Sequence, residues 1–164
     1  MVWLVLIGVA ALGLFAAARV DAGVSRVPAQ LRAVRGAAFT PRPILNREEF
    51  KRFTWLEVWA AGTPYRVFAQ VSYGEVLAST DGAAFAAMNA KRCDMLVVDR
   101  TGMPAVAVEY QGGGHWQGDA KGRDAVKRTA LASAGVPLVE VLPEHGRAEV
   151  VAMVEDALRA GRNA

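Results

Sequence analysis

From Asn46 onward the apolar positions switch repeatedly between a helical and a strand period. Phe50, Phe53, Trp55 and Leu56 recur at helical spacing. They follow Asn46-Arg47-Glu48-Glu49, a helix start in which Asn46 caps the backbone near Glu49 and Glu49 reaches back. Gly62-Thr63-Pro64 stops that helix. Tyr65 to Val71 alternates and is rich in strand formers. A short helical turn is expected over Tyr73 to Ala78 and a short helix over Ala83 to Lys91. Two apolar, β-branched runs, Cys93 to Asp99 and Ala105 to Gln111, flank Arg100-Thr101-Gly102 and predict an antiparallel hairpin. Asp119 to Ala134 is amphipathic, with Val126, Ala130 and Leu131 on one face, and Gly135 caps it. Pro137 to Leu142 reads as a strand. Ala148 to Ala160 reads as a closing helix with Val150, Val151, Val154 and Leu158 inward. This order predicts an α/β fold, a mixed sheet flanked by helices in three layers.

The first twenty residues follow neither period. Val2 to Ala18 carries no charge and approaches the roughly 20 apolar residues that cross a bilayer. We expect one N-terminal transmembrane helix as an anchor over residues 1–20. The alternatives are a cleaved signal peptide, imitated by Ala16-Ala17-Ala18 but lacking a basic start, and a buried helix, which is rarely apolar on all sides. Five arginines follow the run (Arg19, Arg26, Arg32, Arg35 and Arg42) and none precedes it. Positive residues stay on the cytoplasmic side, so the expectation is an outside N-terminus and a cytoplasmic domain. Residues 21–44 read as a basic juxtamembrane linker, either touching anionic lipid or simply solvated. Residues 45–164 read as the domain.

Composition narrows the class. Of 164 residues, 53% are hydrophobic and 21% charged, which excludes collagen-like, disulfide-scaffold and mostly disordered chains. The single Cys93 permits neither an intrachain disulfide nor a CxxC metal cluster and is expected to be buried and inert. The net charge of +3 is localised, because Leu45 to the end holds 14 basic and 15 acidic residues. The domain therefore has no electrostatic footprint for nucleic acid in its composition.

Two carboxylates sit where strands disfavour acids. Asp94 opens one strand of the hairpin and Glu109 nears the end of the next. The start of one antiparallel strand lies beside the end of its partner, so the two can converge at one sheet end. With the carbonyl of Tyr110 they would form an oxygen-rich site for Mg²⁺ or Mn²⁺. Gln111 shares the face of Glu109. Arg123 and Lys127 lie one helical turn apart and suit phosphate oxygens.

An acid on one strand and Glu-x-Gln on the next, within a helix–strand–strand–strand–helix–strand order, resembles the PD-(D/E)XK nuclease superfamily, with its restriction-endonuclease-like core. The closest likeness is to a bacterial membrane-anchored branch related to very-short-patch-repair-type nucleases. It rests on Arg92-Cys93-Asp94, Val108-Glu109-Tyr110-Gln111-Gly112 with His115, Arg123-Asp124-x-x-Lys127 and Ala134-Gly135-Val136-Pro137. The resemblance implies that Asp94 and Glu109 bind the metal and that Glu49 is an accessory metal acid. It implies that His115 lies near the site and that Gln111 stands where the superfamily usually has Lys. Gln hydrogen-bonds water but supplies no positive charge. The implied activity is metal-dependent hydrolysis of phosphodiesters in DNA or RNA, on a single-pass protein of the bacterial inner membrane. In that reading Asp94, Glu109, Gln111 and His115 are the catalytic set. The alternative is a degenerate nuclease fold that binds nucleic acid or protein.

Structural readings stand beside these. Asp94 can pair with Arg92 or Lys91, and Glu109 with Arg123 or Lys127. Glu49 has a sufficient task as a capping-box acid. Trp116 either stacks a base or covers the sheet end. His145 reads as a solvent-exposed or helix-capping residue.

Overall fold

The computed structural model describes residues 26–112 and 120–161. The expected anchor over residues 1–20 lies outside them, as do His115 and Trp116. Among the described residues no helix is long and apolar enough to cross a membrane. The chain divides between Arg42 and Pro43.

In the N-terminal unit a ten-residue helix, α1 (Arg26–Arg35), stands within the segment read as a basic juxtamembrane linker, lipid-touching or solvated. Ala, Leu, Gln and Arg all favour helix, and Pro28 sits in the first turn, where its missing N–H costs nothing. The sequence reading gave the surrounding Gly, Pro and Ser too much weight.

The second unit begins with α2 (Arg47–Ala60). Its capping box is formed as read. Asn46 Oδ1 accepts from the amides of Glu48 and Glu49, and Glu49 Oε2 accepts from the Asn46 amide, all at 2.9 Å. Then come β1 (Arg66–Ser72), the single turn α3 (Tyr73–Val76) and α4 (Gly82–Met88). The predicted hairpin is β2 (Arg92–Val98) and β3 (Pro104–Tyr110). Its turn is held by Asp99, whose Oδ1 accepts from the amides of Thr101 and Met103, while Gly102 takes a φ of +87°. The chain ends with α5 (Ala120–Ser133), β4 (Leu138–Val141) and α6 (Arg147–Gly161). Gly135, at a φ of +68°, lets the Val136 amide return to the Leu131 carbonyl at 2.9 Å, which closes α5.

The four strands lie in the order β1-β2-β3-β4. The first two pairings are antiparallel and β3·β4 is parallel, so the sheet is mixed as expected. Alternate residues feed two cores. Met95, Val97, Val106, Val108, Val139 and Val141 pack with Leu56 of α2 and Val150, Val154 and Leu158 of α6. Leu96, Val98 and Ala107 pack with Tyr73, Met88, Leu131 and Val136. Cys93 belongs to that second core, fully buried, with its thiol pushed up to about 12 by burial. That fits the inert role read for it.

Phe53, Trp55 and Trp59 of α2 pack, partly buried, against the first core, but the innermost stripe of the helix is another one. Its buried residues are Arg52, Leu56 and Ala60, and Phe50 is 58% exposed. Arg52 is only 1% exposed. Its guanidinium lies 4.5 Å from the Tyr110 ring and 5.4 Å from the Trp55 ring. It donates to the Glu48 carbonyl at 3.2 Å and the Pro143 carbonyl at 3.0 Å, and it pairs with the Glu48 carboxylate. Among the described residues its Nε has no hydrogen-bond partner. A buried guanidinium is costly unless paired, and here it also fills volume between α2 and the end of β3. Arg52→Ala should therefore cost about 3 kcal/mol, from the cavity and the lost ion pair. Arg52→Met should cost less, because it refills the space without a charge to desolvate. Urea unfolding of the two variants measures both. Equal losses would mean that the charge, not the packing, holds this contact.

Candidate functional site

Glu109 and Glu140 lie on the face covered by α5, each paired with a residue of that helix, and Asp94 sits where the alternation breaks, between Cys93 of the second core and Met95 of the first. The hairpin ladder reaches Met95↔Val108, and just beyond it Asp94 Oδ2 accepts from the amide of Tyr110, the chain neighbour of Glu109. In the parallel register Glu109 aligns with Glu140. The two acids read from the sequence thus meet at one sheet end.

Their environments differ. Asp94 is half-buried and is held by main chain and amide. Its Oδ2 accepts from the Tyr110 amide at 2.9 Å and its Oδ1 from Gln70 Nε2 at 3.3 Å. Its carboxylate therefore takes an amide that the hairpin ladder would otherwise pair. Neither Arg92 nor Lys91 is its partner, since Arg92 donates to the Gln70 carbonyl at 3.2 Å. Gln70 itself adopts a φ of +54°, the one positive φ outside glycine among the described residues. It stands between the paired residues Ala69↔Met95 and Val71↔Cys93, where the ladder is interrupted without a change of register. A left-handed residue inside a strand carries strain, and this one delivers its side chain to Asp94.

Glu109 is 7% exposed. Its Oε1 accepts from Tyr73 Oη at 2.9 Å and from Lys127 Nζ at 2.8 Å. Among the described residues its Oε2 takes no hydrogen bond. Burial, and then the negative charge of Asp94, hold its carboxyl above the ordinary value, and the Lys127 and Tyr73 bonds pull it back. Tyr73 stays protonated and donating, because burial first and then neighbouring Cys93 and Glu109 raise its pKa. Its position is set by the chain. The Tyr73 amide bonds the Lys91 carbonyl at 2.9 Å, and Gly74 packs so tightly that a Cβ there would lie 2.9 Å from the Asn89 Cα.

The remaining sequence candidates divide. Gln111 continues the parallel ladder, its amide on the Val141 carbonyl, and its side chain donates to Glu140 Oε1 at 3.0 Å. Glu140 also pairs with Arg128. Lys127, read as a phosphate ligand with an ion pair to Glu109 as the structural alternative, is paired with Glu109 at 2.8 Å. Glu49 is engaged at the α2 cap, on a helix that covers the other face of the sheet, and is not brought to the acid pair. Arg123 falls within α5, but its side chain lies outside the described residues, as does His115. His145 accepts the Leu142 amide on Nδ1 at 3.1 Å, a loop role close to the one read. A cavity of about 200 Å³ lies beside Tyr73, but no charged residue lines it, so it is not where the charged groups meet.

Sequence reasoning missed Gln70, Tyr73, Glu140 and Arg52. The last left a signal, an arginine in step with Leu56 and Ala60 at four-residue spacing. Gln70 left none, because strand formers on both sides masked the irregularity.

A family model described as a protein of unknown function, DUF2726, matches residues 41–158. The chain belongs to the DUF2726 family. It is 42% identical over 120 residues to an uncharacterised protein of Haemophilus influenzae, a match covering 72% of this chain and 63% of that one. It is 47% identical over 109 residues to the uncharacterised protein y4bI of Sinorhizobium fredii, covering 65% of this chain and 78% of that one. The chain thus spans less than two thirds of the Haemophilus relative. No solved structure matches significantly. The family match takes in α2 to most of α6, so every residue of the acid cluster lies inside it.

The raised Glu109 carboxyl has a sign that can be measured. A carboxyl whose folded pKa lies above its unfolded value stabilises the fold most when protonated, and that contribution is lost as pH rises through the folded pKa. Glu109→Gln keeps both hydrogen bonds and does not titrate. The stability of the parent relative to Glu109→Gln should therefore fall as pH rises from the ordinary value of 4.5 towards neutrality. Paired urea titrations at several pH values test this. A parent that gains on the variant over that range would show that Lys127 outweighs burial.

Proposed function

We propose that this domain is a metal-dependent, nuclease-like phosphodiesterase whose metal ligands are Asp94 and Glu109, with a restriction-endonuclease-like fold. The carrying observation is that two carboxylates lie at one sheet end on adjacent strands, where burial first and then the charge of Asp94 make Glu109 hard to ionise. A divalent cation relieves both penalties at once. The donor set suits it. Among the described residues each Asp94 oxygen accepts one hydrogen bond and keeps a lone pair, and Glu109 Oε2 takes none. Mg²⁺ commonly binds through one or two carboxylates and keeps several waters.

When bound, Mg²⁺ or Mn²⁺ would polarise a phosphoryl oxygen and lower the pKa of a coordinated water. The chain's own groups do the rest. Gln70 and the Tyr110 amide fix the Asp94 carboxylate. Tyr73 and Lys127 fix Glu109 by its Oε1. Lys127 supplies at the acid pair the positive charge that Gln111 cannot. The substrate class is nucleic acid, DNA or RNA, and the neutral domain makes its affinity modest and salt-dependent. Residues 1–20 would anchor the domain to the bacterial inner membrane, with the domain on the cytoplasmic side.

A second reading has its own observation. The Gln111 amide is committed to Glu140 and Lys127 to Glu109, so the site neutralises itself, as a non-cutting module that binds nucleic acid or protein would. Calorimetric titration of the full chain with Mn²⁺ separates the two. The nuclease reading expects binding that is lost in Asp94→Asn and Glu109→Gln, and cleavage of DNA or RNA oligonucleotides that falls by at least roughly a hundredfold in either variant. Metal bound without cleavage would favour the second reading. A folded protein that binds no metal, with or without oligonucleotide, would overturn the first.

A further inference from the structure

Helix α1 carries a pattern that the acid site does not use. Val27, Leu31 and Val34 are three to four residues apart and share one face. All three are exposed, by 63%, 46% and 53%. Arg32 and Arg35 lie off that stripe. No acid occurs between Asp21 and Glu48. Beyond the helix Phe39 is exposed as well. A helix of ten residues is marginal in water on propensity alone, so an amphipathic one with its apolar stripe exposed calls for a surface that takes apolar and cationic side chains together.

We propose that α1 lies in the headgroup layer of an anionic bilayer. Val27, Leu31 and Val34 face the acyl chains, and Arg32 and Arg35 face the lipid phosphates. Interfacial helices have this division, an apolar stripe set among basic residues. Charge complementarity is one-sided, because the helix has arginines and no acid. The apolar stripe selects lipid over nucleic acid, since a phosphodiester backbone offers it no partner. The neighbouring sequence agrees, for the uncharged run from Val2 to Ala18 ends seven residues before α1 begins. The proposal does not rest on the hydrolytic reading and stands if that reading fails.

Amide hydrogen exchange on the full chain tests it, with unilamellar vesicles of phosphatidylcholine alone or mixed with phosphatidylglycerol. Exchange across residues 26–35 should slow by roughly tenfold or more on the anionic vesicles relative to the neutral ones. That slowing should disappear in high salt. Arg32→Gln with Arg35→Gln should abolish it, and so should Leu31→Gln with Val34→Gln. These positions are exposed, so exchange in β2 and β3 should be unchanged and serves as the folding control. Equal exchange on both vesicle types would overturn the proposal. So would protection by an oligonucleotide in the absence of lipid that anionic vesicles do not reproduce.

Discussion

A carboxylate placed out of water must find hydrogen bonds and opposite charge, or it will not stay ionised. Glu109 is in that position, and much of the domain is arranged around it. Tyr73 reaches it from the end of β1, Lys127 from α5, and the charge of Asp94 bears on it from β2. Each partner constrains a different element. Tyr73 arrives only because Gly74 lets the chain press against Asn89. Lys127 fixes the face that α5 turns towards the sheet, the face that also buries Leu131. A valine at the same place would need none of these, and the crossover between β3 and β4 would then be held by packing alone.

The elements of the domain were legible because their periods are clean. The hairpin turn, the α2 capping box and the Gly135 cap all carry local chemistry that acts within a few residues, and all three formed as read. The convergence of Asp94 and Glu109 was legible for the same reason, since antiparallel pairing across a short turn fixes which residues meet. What was not legible depends on distant partners. The sequence offered both Arg123 and Lys127 as partners for Glu109, and the packing of α5 brings Lys127 to it. Gln70 gave no sign that its backbone leaves the strand conformation. Arg52 was overlooked because aromatic residues drew the inward face of α2 one step round the helix. In α1, helix formers outweighed the Pro and Gly that suggested a linker.

The two faces of the sheet have different tasks at the same end. On one, Arg52 lies under the Tyr110 ring and ties α2 to the loop after β4 through the Pro143 carbonyl. On the other, the amide of that same Tyr110 holds Asp94. Tyr110 is thus shared between a packing contact and an acid contact. The acids project from a strand end clamped from behind, which suits groups that must hold a fixed separation.

The strands lie in the sheet in the order in which they occur in the chain, and this has a consequence for how the acid cluster comes together in time. Asp94 and Glu109 belong to a hairpin closed by residues 99–103, a loop of small entropic cost. Lys127 and Glu140 arrive only with the parallel pairing of β4, after a connection spanning residues 111–137. Non-local pairings of that kind form late. During folding the two carboxylates therefore meet before the lysine that offsets them, and their mutual repulsion falls on the hairpin while the crossover is still unmade. Any cation able to sit between them at that stage would speed the closing of the fold.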